Sequence, residues 1–348
     1  MEQIYIPKQD YKVLVRCFTY NQSKYIEDAL NGFAMQKTDF PYVSLVMDDC
    51  STDGEQDVIK AWMESECDMV KAEYIDLELS NVILVPHKTN PTCSFAFYLL
   101  KQNLWREGAL KRTLVTPWRE HCEYEALCEG DDYWIDEIKL QKQVDFLDSN
   151  PDYALCYSPV KYFFQNSCHL SQNVRGGNAE SFESLLFANT ISTPSTLYRK
   201  QMELKYEEEI KPDTKNWKMG DYPRWLYFAY NSKVKCMSNE VFAVYRVLNE
   251  SASHSTNINK KLDFIDSSYE ICLWFNKKYN EKYENEIRKK KQTYKLSVCA
   301  VNNSWKAYFK TLCKGIIEYW PNLFVVKNYF YFPYYICKKA WSNSSLIL

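Results

Sequence analysis

The chain has 348 residues, 46% of them hydrophobic and 16% aromatic, which is enough for one large core with a smaller appended region. Its formal net charge of −2 hides an asymmetry, because residues 258–348 carry 16 Lys and Arg against 7 Asp and Glu. A basic segment after an acidic body favours either an anionic surface as partner or a solvated helical face. We expect no nucleic-acid partner.

Cysteine usage and the N-terminus predict the compartment. The 13 cysteines are scattered without a Cys-x-x-Cys pair, and the four histidines offer no zinc spacing. This pattern is typical of a reducing compartment. The first residues lack an apolar signal region, and no apolar run reaches the roughly 18 residues of a spanning helix. The sequence therefore predicts a cytoplasmic protein.

The first half of the chain alternates strands with helices. Residues 13–18 and 41–47 are predicted strands, each followed by a polar loop and an amphipathic helix, and residues 81–85 are a third strand. We expect Ser23 to cap the first helix. This alternation with short loops predicts a parallel, doubly wound sheet.

Residues 91–122 are harder to assign. The aromatic stretch 94–105 predicts a helix, and the basic stretch 111–119 predicts irregular structure. A buried strand then runs from Tyr124 into an acidic turn, residues 129–134 (EGDDYW), and a helix opens near Asp136. Residues 153–157 form another predicted strand.

The acidic turn is the main chemical signal of the sequence. Asp131, Asp132 and Glu129 follow a buried strand, and open α/β sheets bind ligands at the carboxyl ends of their strands. Like charges this close repel one another, so they favour a divalent cation with oxygen ligands, either manganese or magnesium. The alternative is an acidic turn in which Asp132 or Asp136 caps the next helix.

Three spaced motifs stand at the ends of the predicted strands: residues 19–21 (TYN), residues 48–53 (DDCSTD), and the acidic turn with its following helix, residues 139–143 (KLQKQ). Taken together, they resemble the inverting nucleotide-sugar glycosyltransferases of the GT-A fold, family 2-like, in the branch that assembles bacterial surface polysaccharides. The resemblance spans about residues 11–255. It implies an α/β, mixed and mainly parallel sheet flanked by helices, with a catalytic domain at 1–257 and a helical C-terminal region at 258–348. Within the catalytic domain, residues 11–135 would form the nucleotide-sugar half and 136–257 the acceptor half.

The resemblance also implies roles for the nucleotide-binding residues. Tyr20 is similar to the aromatic residue that packs on uracil, and Asp49 to the carboxylate that accepts from the uracil N–H. Glu129 departs from the family's first Asp, yet its longer side chain can reach the ribose or the cation. Arg246 lies in the region of the loop that covers the diphosphate, with an exposed loop as the alternative. Tyr20 could instead be a core residue, and Asp53 is expected to cap the next helix.

Metal binding and catalysis follow from the same resemblance. Asp131 is the expected metal ligand, joined by Asp132 and by His254 of the C-terminal loop. Asp221 resembles the general base that activates the acceptor hydroxyl for in-line displacement with inversion. Asp221 could also simply cap the helix that follows it, with Pro223 in the first turn.

The predicted function is therefore metal-dependent, inverting transfer of a sugar from a UDP-sugar to a glycan or lipid-linked acceptor hydroxyl. The alternative is a non-catalytic module that binds sugar nucleotides or glycans on the same fold. The tail beyond residue 257 contains many lysines and many aromatic residues. The aromatic residues include Trp320, Phe324 and Tyr329. This composition is typical of a segment at a membrane interface, and the alternative is packing against the catalytic domain. We expect such a contact at the inner face of the plasma membrane.

Overall fold

A computed structural model describes residues 4–104, 107–248, 255–279, 281–302 and 304–319. The chain folds as two compact units. One consists of Met1–Asn216 and Arg224–Val247, and the other of Trp217–Pro223 and Leu248–Leu348. Within the described ranges, no helix combines the length and the apolar character that a membrane crossing requires.

Thirteen strands and ten helices make up the described structure. The strands are β1 (Tyr11–Thr19), β2 (Tyr42–Asp48), β3 (Glu73–Asp76), β4 (Ser80–Pro86), β5 (Cys93–Leu100), β6 (Cys122–Leu127), β7 (Tyr133–Trp134), β8 (Tyr153–Tyr157), β9 (Lys161–Phe164), β10 (His169–Leu170), β11 (Leu197–Arg199), β12 (Lys233–Cys236) and β13 (Ala243–Val247). The helices are α1 (Ile26–Ala34), α2 (Glu55–Glu66), α3 (Gly108–Glu120), α4 (Lys139–Ser149), α5 (Phe182–Phe187), α6 (Lys200–Ile210), α7 (Tyr222–Asn231), α8 (Ile258–Tyr279), α9 (Glu284–Val301) and α10 (Trp305–Tyr319).

A nine-stranded sheet organises the first unit. Its order is β12-β8-β11-β6-β1-β2-β5-β4-β3, in which the central strands β6, β1, β2 and β5 are parallel and antiparallel pairs flank them. A smaller sheet has the order β10-β9-β13-β7. The predicted α/β fold, a mixed and mainly parallel sheet flanked by helices, is confirmed.

Both faces of the large sheet are covered. Side chains alternate along β1, so Val13, Val15 and Cys17 pack on one side while Leu14 packs on the other. Helices α1, α2 and α4 bury apolar side chains on the first side, and α3 does so on the second. Each fully buried Leu or Ile stabilises the fold by about 1.5–3 kcal/mol relative to an exposed one. The helix side chains that carry this packing are Ile26, Ile59 and Leu140 on the first side and Leu114, Val115 and Trp118 on the second.

The predicted helix at 94–105 is wrong, because β5 occupies Cys93–Leu100. Its pairing with β2 is parallel and continuous from Tyr42↔Cys93 to Asp48↔Leu99. Nearly all of β5 is buried, so its apolar run shows neither the strand nor the helix period. Pairing with a central strand, which the local sequence does not reveal, decides the conformation.

Two further predictions, one for residues 111–119 and one for Ser23, are also wrong. The stretch 111–119 lies inside helix α3, whose Leu114, Val115 and Trp118 face the core. Helix α1 begins at Ile26 with Tyr25 as N-cap, and Ser23 does not cap it. The Ser23 amide instead donates to the Asp53 carboxylate at 3.0 Å, which ties the β1–α1 loop to the loop before α2.

Helices α8, α9 and α10 make up most of the described residues from Ile258 to Tyr319, which confirms the expected helical C-terminal extension as far as Tyr319. Helices α9 and α10 share a small core of Leu296, Cys299, Ala300 and Tyr308. The Gln292 side-chain amide donates to the backbone oxygen of Thr311 at 2.7 Å and links the two helices. Residues 320–348, which include Trp320, Phe324 and Tyr329, lie outside the described residues.

Lys139, which opens the Lys-Leu-x-x-Gln helix, is completely buried. Its ammonium donates to Gln143 Oε1 at 2.7 Å and lies 4.1 Å from the centre of the Trp134 ring. Burial lowers the pKa of Lys139 to about 7 from its usual 10.5. Between about pH 7 and pH 10.5, Lys139 keeps its proton in the unfolded chain and has lost it in the folded chain. The free energy of unfolding therefore rises with pH in this range.

The buried Lys139 should make the stability of the protein depend on pH. The free energy of unfolding of the wild type, measured relative to that of Lys139→Met, should rise by about 2 kcal/mol between about pH 7.5 and pH 9. Urea denaturation at the two pH values measures the difference. Lys142→Met is the control on the same helix, since Asp136 and Glu240 raise the pKa of Lys142. A wild type and a Lys139→Met variant whose stabilities change in parallel would contradict the prediction.

Candidate functional site

Three parallel strands end at one edge of the large sheet and bring the predicted motifs together. β1 ends at Thr19, β2 ends at Asp48, and the acidic turn follows β6. The turn stays bonded to β1 beyond the regular pairing, because the Cys128 and Gly130 amides donate to the oxygens of Arg16 and Phe18. The predicted position of the carboxylates, at the carboxyl edge of the sheet, is what the structure shows.

The acidic turn forms a compact carboxylate cluster. Glu129, Asp131 and Asp132 each present an oxygen, and these oxygens lie within 4.8 Å of one another. Glu129 is exposed, Asp131 is half-buried and Asp132 is 1% exposed. A set of three carboxylates at this spacing fits a hard divalent cation such as manganese or magnesium.

The carboxylate cluster is electrostatically unfavourable when it is ionised. Burial raises the pKa of the Asp131 carboxyl. Burial and then the neighbouring Asp131 charge raise the pKa of Asp132 well above its usual range. Both shifts mean that the ionised cluster is costly in this surrounding, and a bound cation would reverse them.

Gly130 allows the turn to approach the end of β1. A Cβ atom built on it would lie 2.4 Å from Thr19 Oγ1 and 2.5 Å from Gln22 Oε1. No larger residue fits without moving the β1–α1 loop, so this glycine sets the distance between that loop and the carboxylates.

Arg246 of β13 adjoins the same turn and is 6% exposed. Its backbone amide donates to Asp132 Oδ1 at 2.7 Å, and its Nε donates to the Asp131 backbone oxygen at 2.7 Å. The rest of the guanidinium donates to Gln165 and Asp28. Arg246 is thus next to the predicted metal ligands, with its donors directed to protein acceptors.

The loops after β1 and β2 are tied to each other. Asn21 has a φ of 55°. Its side-chain oxygen accepts from the Thr52 backbone amide at 2.8 Å, and its backbone amide donates to Ser51 Oγ. Tyr20 is 42% exposed at this edge, so it is available for a ligand rather than placed in the core. Asp53 accepts from the Glu55 amide at 3.1 Å, but the expected cap is wrong, because Gly54 is the N-cap of α2 and no side chain caps this helix.

Glu55 is a functional candidate that the sequence reasoning missed. It is completely buried and accepts from Thr19, from the Gln22 amide at 2.8 Å and from Ser51 Oγ at 2.9 Å. Burial raises its pKa. Glu55 therefore holds the end of β1 beside the acidic turn. The signal that could have found it is an acidic residue directly after the Asp-x-Ser-Thr-Asp-Gly loop.

Asp49 lies at the same edge but is 3% exposed. Its Oδ1 accepts from the Leu104 amide at 2.6 Å, and its Oδ2 pairs with Lys111 Nζ at 2.5 Å. Lys111 was also missed, because its stretch was expected to be irregular. The carboxylate predicted to recognise uracil is thus already held by a lysine of α3.

The described cluster does not test the roles predicted for Asp221 and His254. Asp221 directly precedes α7 and belongs to the second unit, whereas the carboxylate cluster belongs to the first. His254, predicted as a metal ligand, lies outside the described residues. Their roles stay predictions.

Comparison with known proteins finds structures with a similar fold but does not assign the chain to a family. No protein-family model matches the chain. Uncharacterized proteins of Mycobacterium bovis and Mycobacterium tuberculosis are 34% identical over 185 residues, which is 53% of this chain and 45% of theirs. The chain thus spans less than half the length of these curated relatives.

Two solved structures are similar over most of the chain. Staphylococcus aureus TarS 1–349 in complex with UDP-GlcNAc has a TM-score of 0.51 at 16% identity and covers 88% of this chain and 80% of its own. The mannosyltransferase PcManGT from Pyrobaculum calidifontis, in complex with GDP-Man and Mn²⁺, has a TM-score of 0.53 at 12% identity and covers 97% and 84%. At such identities the likeness shows the fold alone, and the chain shares the α/β fold of these two proteins.

Proposed function

We propose that this protein is a metal-dependent, inverting glycosyltransferase that moves a sugar from a UDP-sugar to a glycan or lipid-linked acceptor hydroxyl in bacterial surface polysaccharide synthesis. The observation that carries the proposal is the cluster of Glu129, Asp131 and Asp132, within 4.8 Å, at the carboxyl edge of a glycosyltransferase fold. Among the similar structures, one is bound to UDP-GlcNAc and one to GDP-Man with Mn²⁺.

The donor is proposed to bind across the ends of β1, β2 and β6. Tyr20 offers an exposed ring for stacking on the base. Asp49, whose oxygens also hold the Leu104 amide and Lys111, is proposed to accept from a base N–H. Manganese or magnesium would be held by Asp131, Asp132 and Glu129, with His254 as a further ligand. When bound, the cation stabilises negative charge on the departing diphosphate.

The acceptor step is assigned to Asp221. As general base, its carboxylate takes the proton of the acceptor hydroxyl while the hydroxyl oxygen attacks the anomeric carbon opposite the diphosphate. The carbon–oxygen bond to the diphosphate breaks as the new glycosidic bond forms, so the anomeric configuration inverts. Asp221 directly precedes α7, and a position at the start of a helix can fix the side chain in place.

A screen of nucleotide-sugars tests the proposal. The full chain is incubated with UDP- and GDP-sugars, with and without Mn²⁺, and the released nucleoside diphosphate is measured. We expect release from a UDP-sugar that depends on Mn²⁺ and stops with a chelator. Nucleotide binding without any release, with or without saccharide acceptors, would instead support a non-catalytic sugar-nucleotide-binding module.

The membrane part of the proposal rests on helix α10. Trp305 and Phe309 lie one turn apart and are 45% and 58% exposed. Lys306, Lys310 and Lys314 are also exposed and follow one another at intervals of four residues. Exposed aromatic residues beside a lysine row are suited to the interface of an anionic membrane, where lipid-linked acceptors lie.

Vesicle sedimentation tests this membrane contact. The full-length protein should sediment with anionic vesicles at about 0.05 M salt and be released at about 1 M, where the Debye length falls to roughly 3 Å. The triple variant Lys306→Gln, Lys310→Gln, Lys314→Gln should bind more weakly. Tyr74→Ser, at an aromatic residue that is 65% exposed in the first unit, is the control. Unchanged binding by the triple variant would mean that α10 is not the contact surface.

A further inference from the structure

The arginine next to the acidic turn is engaged on every side by protein groups. Its amide and its Nε reach Asp132 Oδ1 and the Asp131 backbone oxygen, each at 2.7 Å. Its Nη1 donates to Gln165 Oε1 at 2.7 Å, and its Nη2 donates to Asp28 Oδ2 at 2.6 Å. These acceptors come from α1, from the segment after β9 and from the turn itself, so one side chain joins three parts of the first unit.

Aromatic rings complete the surroundings of this guanidinium. Its central carbon lies 4.7 Å from the Tyr25 ring centre, 5.2 Å from that of Tyr133 and 5.3 Å from that of Phe163. Such contacts favour a delocalised cation and hold its plane in place. With the guanidinium only slightly exposed and its donors directed inward, the side chain has little freedom to turn toward a ligand.

Strand pairing explains why Arg246 meets the turn. β13 runs antiparallel to β7, with Val244 opposite Tyr133. Two residues further along, this register places Arg246 opposite Asp131. There the strand pairing gives way to contacts with the Asp131 backbone oxygen and the Asp132 side chain.

We propose that Arg246 is a positioning residue that holds the acidic turn in its metal-binding conformation, rather than a direct ligand of the diphosphate. The inference rests on the proposed function, since it concerns the same metal site. The Arg246 side chain fixes the turn through the Asp131 backbone oxygen, while one oxygen of Asp132 is held by the backbone amide of residue 246, which a lysine there would also supply. The other carboxylate oxygens of the turn are then left to converge on a cation. Groups that orient metal ligands in this way typically change metal affinity about 10- to 100-fold when they are replaced.

The test measures binding of Mn²⁺ alone to the full chain, without nucleotide, by calorimetry or electron paramagnetic resonance. Arg246→Lys keeps the charge but loses the planar set of donors, and we expect its affinity for Mn²⁺ to fall about tenfold or more. Asp28→Asn removes only the charge of one partner of the guanidinium, and we expect a smaller loss.

Arg199→Lys is the matched control. Arg199 is also anchored to backbone oxygens, those of Tyr153 at 2.8 Å and Leu147 at 2.6 Å, and it also lies over a ring, that of Tyr124. Its replacement should lower stability as much as that of Arg246 while leaving Mn²⁺ affinity unchanged. An Arg246→Lys variant with wild-type Mn²⁺ affinity but weakened UDP affinity would overturn the proposal and make Arg246 a diphosphate ligand.

Hydrogen exchange supplies a readout that needs no metal. The amides of residues 129–133 should exchange faster in Arg246→Lys than in Arg199→Lys, since only the former releases the turn. Equal exchange rates in the two variants would overturn the positioning role. A wild type that binds no Mn²⁺ would count against the proposed function, and the exchange comparison would then decide the role of Arg246.

Discussion

Replacing Asp131 with Asn is expected to lower the rate of sugar transfer by about a hundredfold or more, because the proposed metal ligand loses its charge and a bound cation would contribute several kcal/mol to the transition state. Asn preserves the shape of the side chain, so the turn should keep its fold. Product formation under saturating Mn²⁺, and again in a Mn²⁺ titration, measures the loss.

Stability separates this loss from simple misfolding. Burial raises the pKa of Asp131, so above its usual pKa the ionised carboxylate weakens the metal-free fold. The neutral Asn has no charge to bury, and metal-free Asp131→Asn should therefore melt at the same temperature as the wild type or higher. Asp145→Asn, at an exposed carboxylate of α4, is the control for activity. If Asp131→Asn turns over at the wild-type rate, or if a chelator does not lower the activity of the wild type, the assignment of a metal site to this cluster is wrong.

Replacing Asp221 with Asn should abolish transfer and leave UDP affinity nearly unchanged. A general base typically contributes about a hundred- to ten-thousand-fold to the rate, and this carboxylate is assigned to the acceptor rather than to the nucleotide. Calorimetric titration with UDP and Mn²⁺, paired with an assay of transfer, measures both quantities on one preparation.

Asp49→Ala should have the opposite effect and weaken UDP binding by roughly ten- to a hundredfold, since a hydrogen bond to a charged acceptor is worth about 1.5–3 kcal/mol. The pairing of Asp49 with Lys111 at 2.5 Å calls for a control, because the substitution also leaves this lysine without its partner. Lys111→Met removes the lysine and keeps the carboxylate, so a loss specific to Asp49 should exceed that of Lys111→Met. Equal loss of UDP affinity in Asp221→Asn and Asp49→Ala would end the proposed division of roles.

The sequence by itself determined the α/β class and the place of the carboxylates. Both depend on local patterns: buried strands end in polar loops, and a glycine-containing acidic turn follows the strand that ends at Leu127. Once the strands are parallel, their carboxyl ends meet at one edge, so the loops at 19–21, 48–53 and 129–134 come together without further information.

Only the tertiary structure decided which distant side chains complete that edge. Arg246 reaches the Asp131 backbone across 115 residues, and Lys111 reaches Asp49 across 62. Such contacts follow from strand register and helix placement, which no local pattern encodes. The same reason made β5 unpredictable, since a strand buried on both faces has no period to recognise and takes its conformation from its neighbour β2.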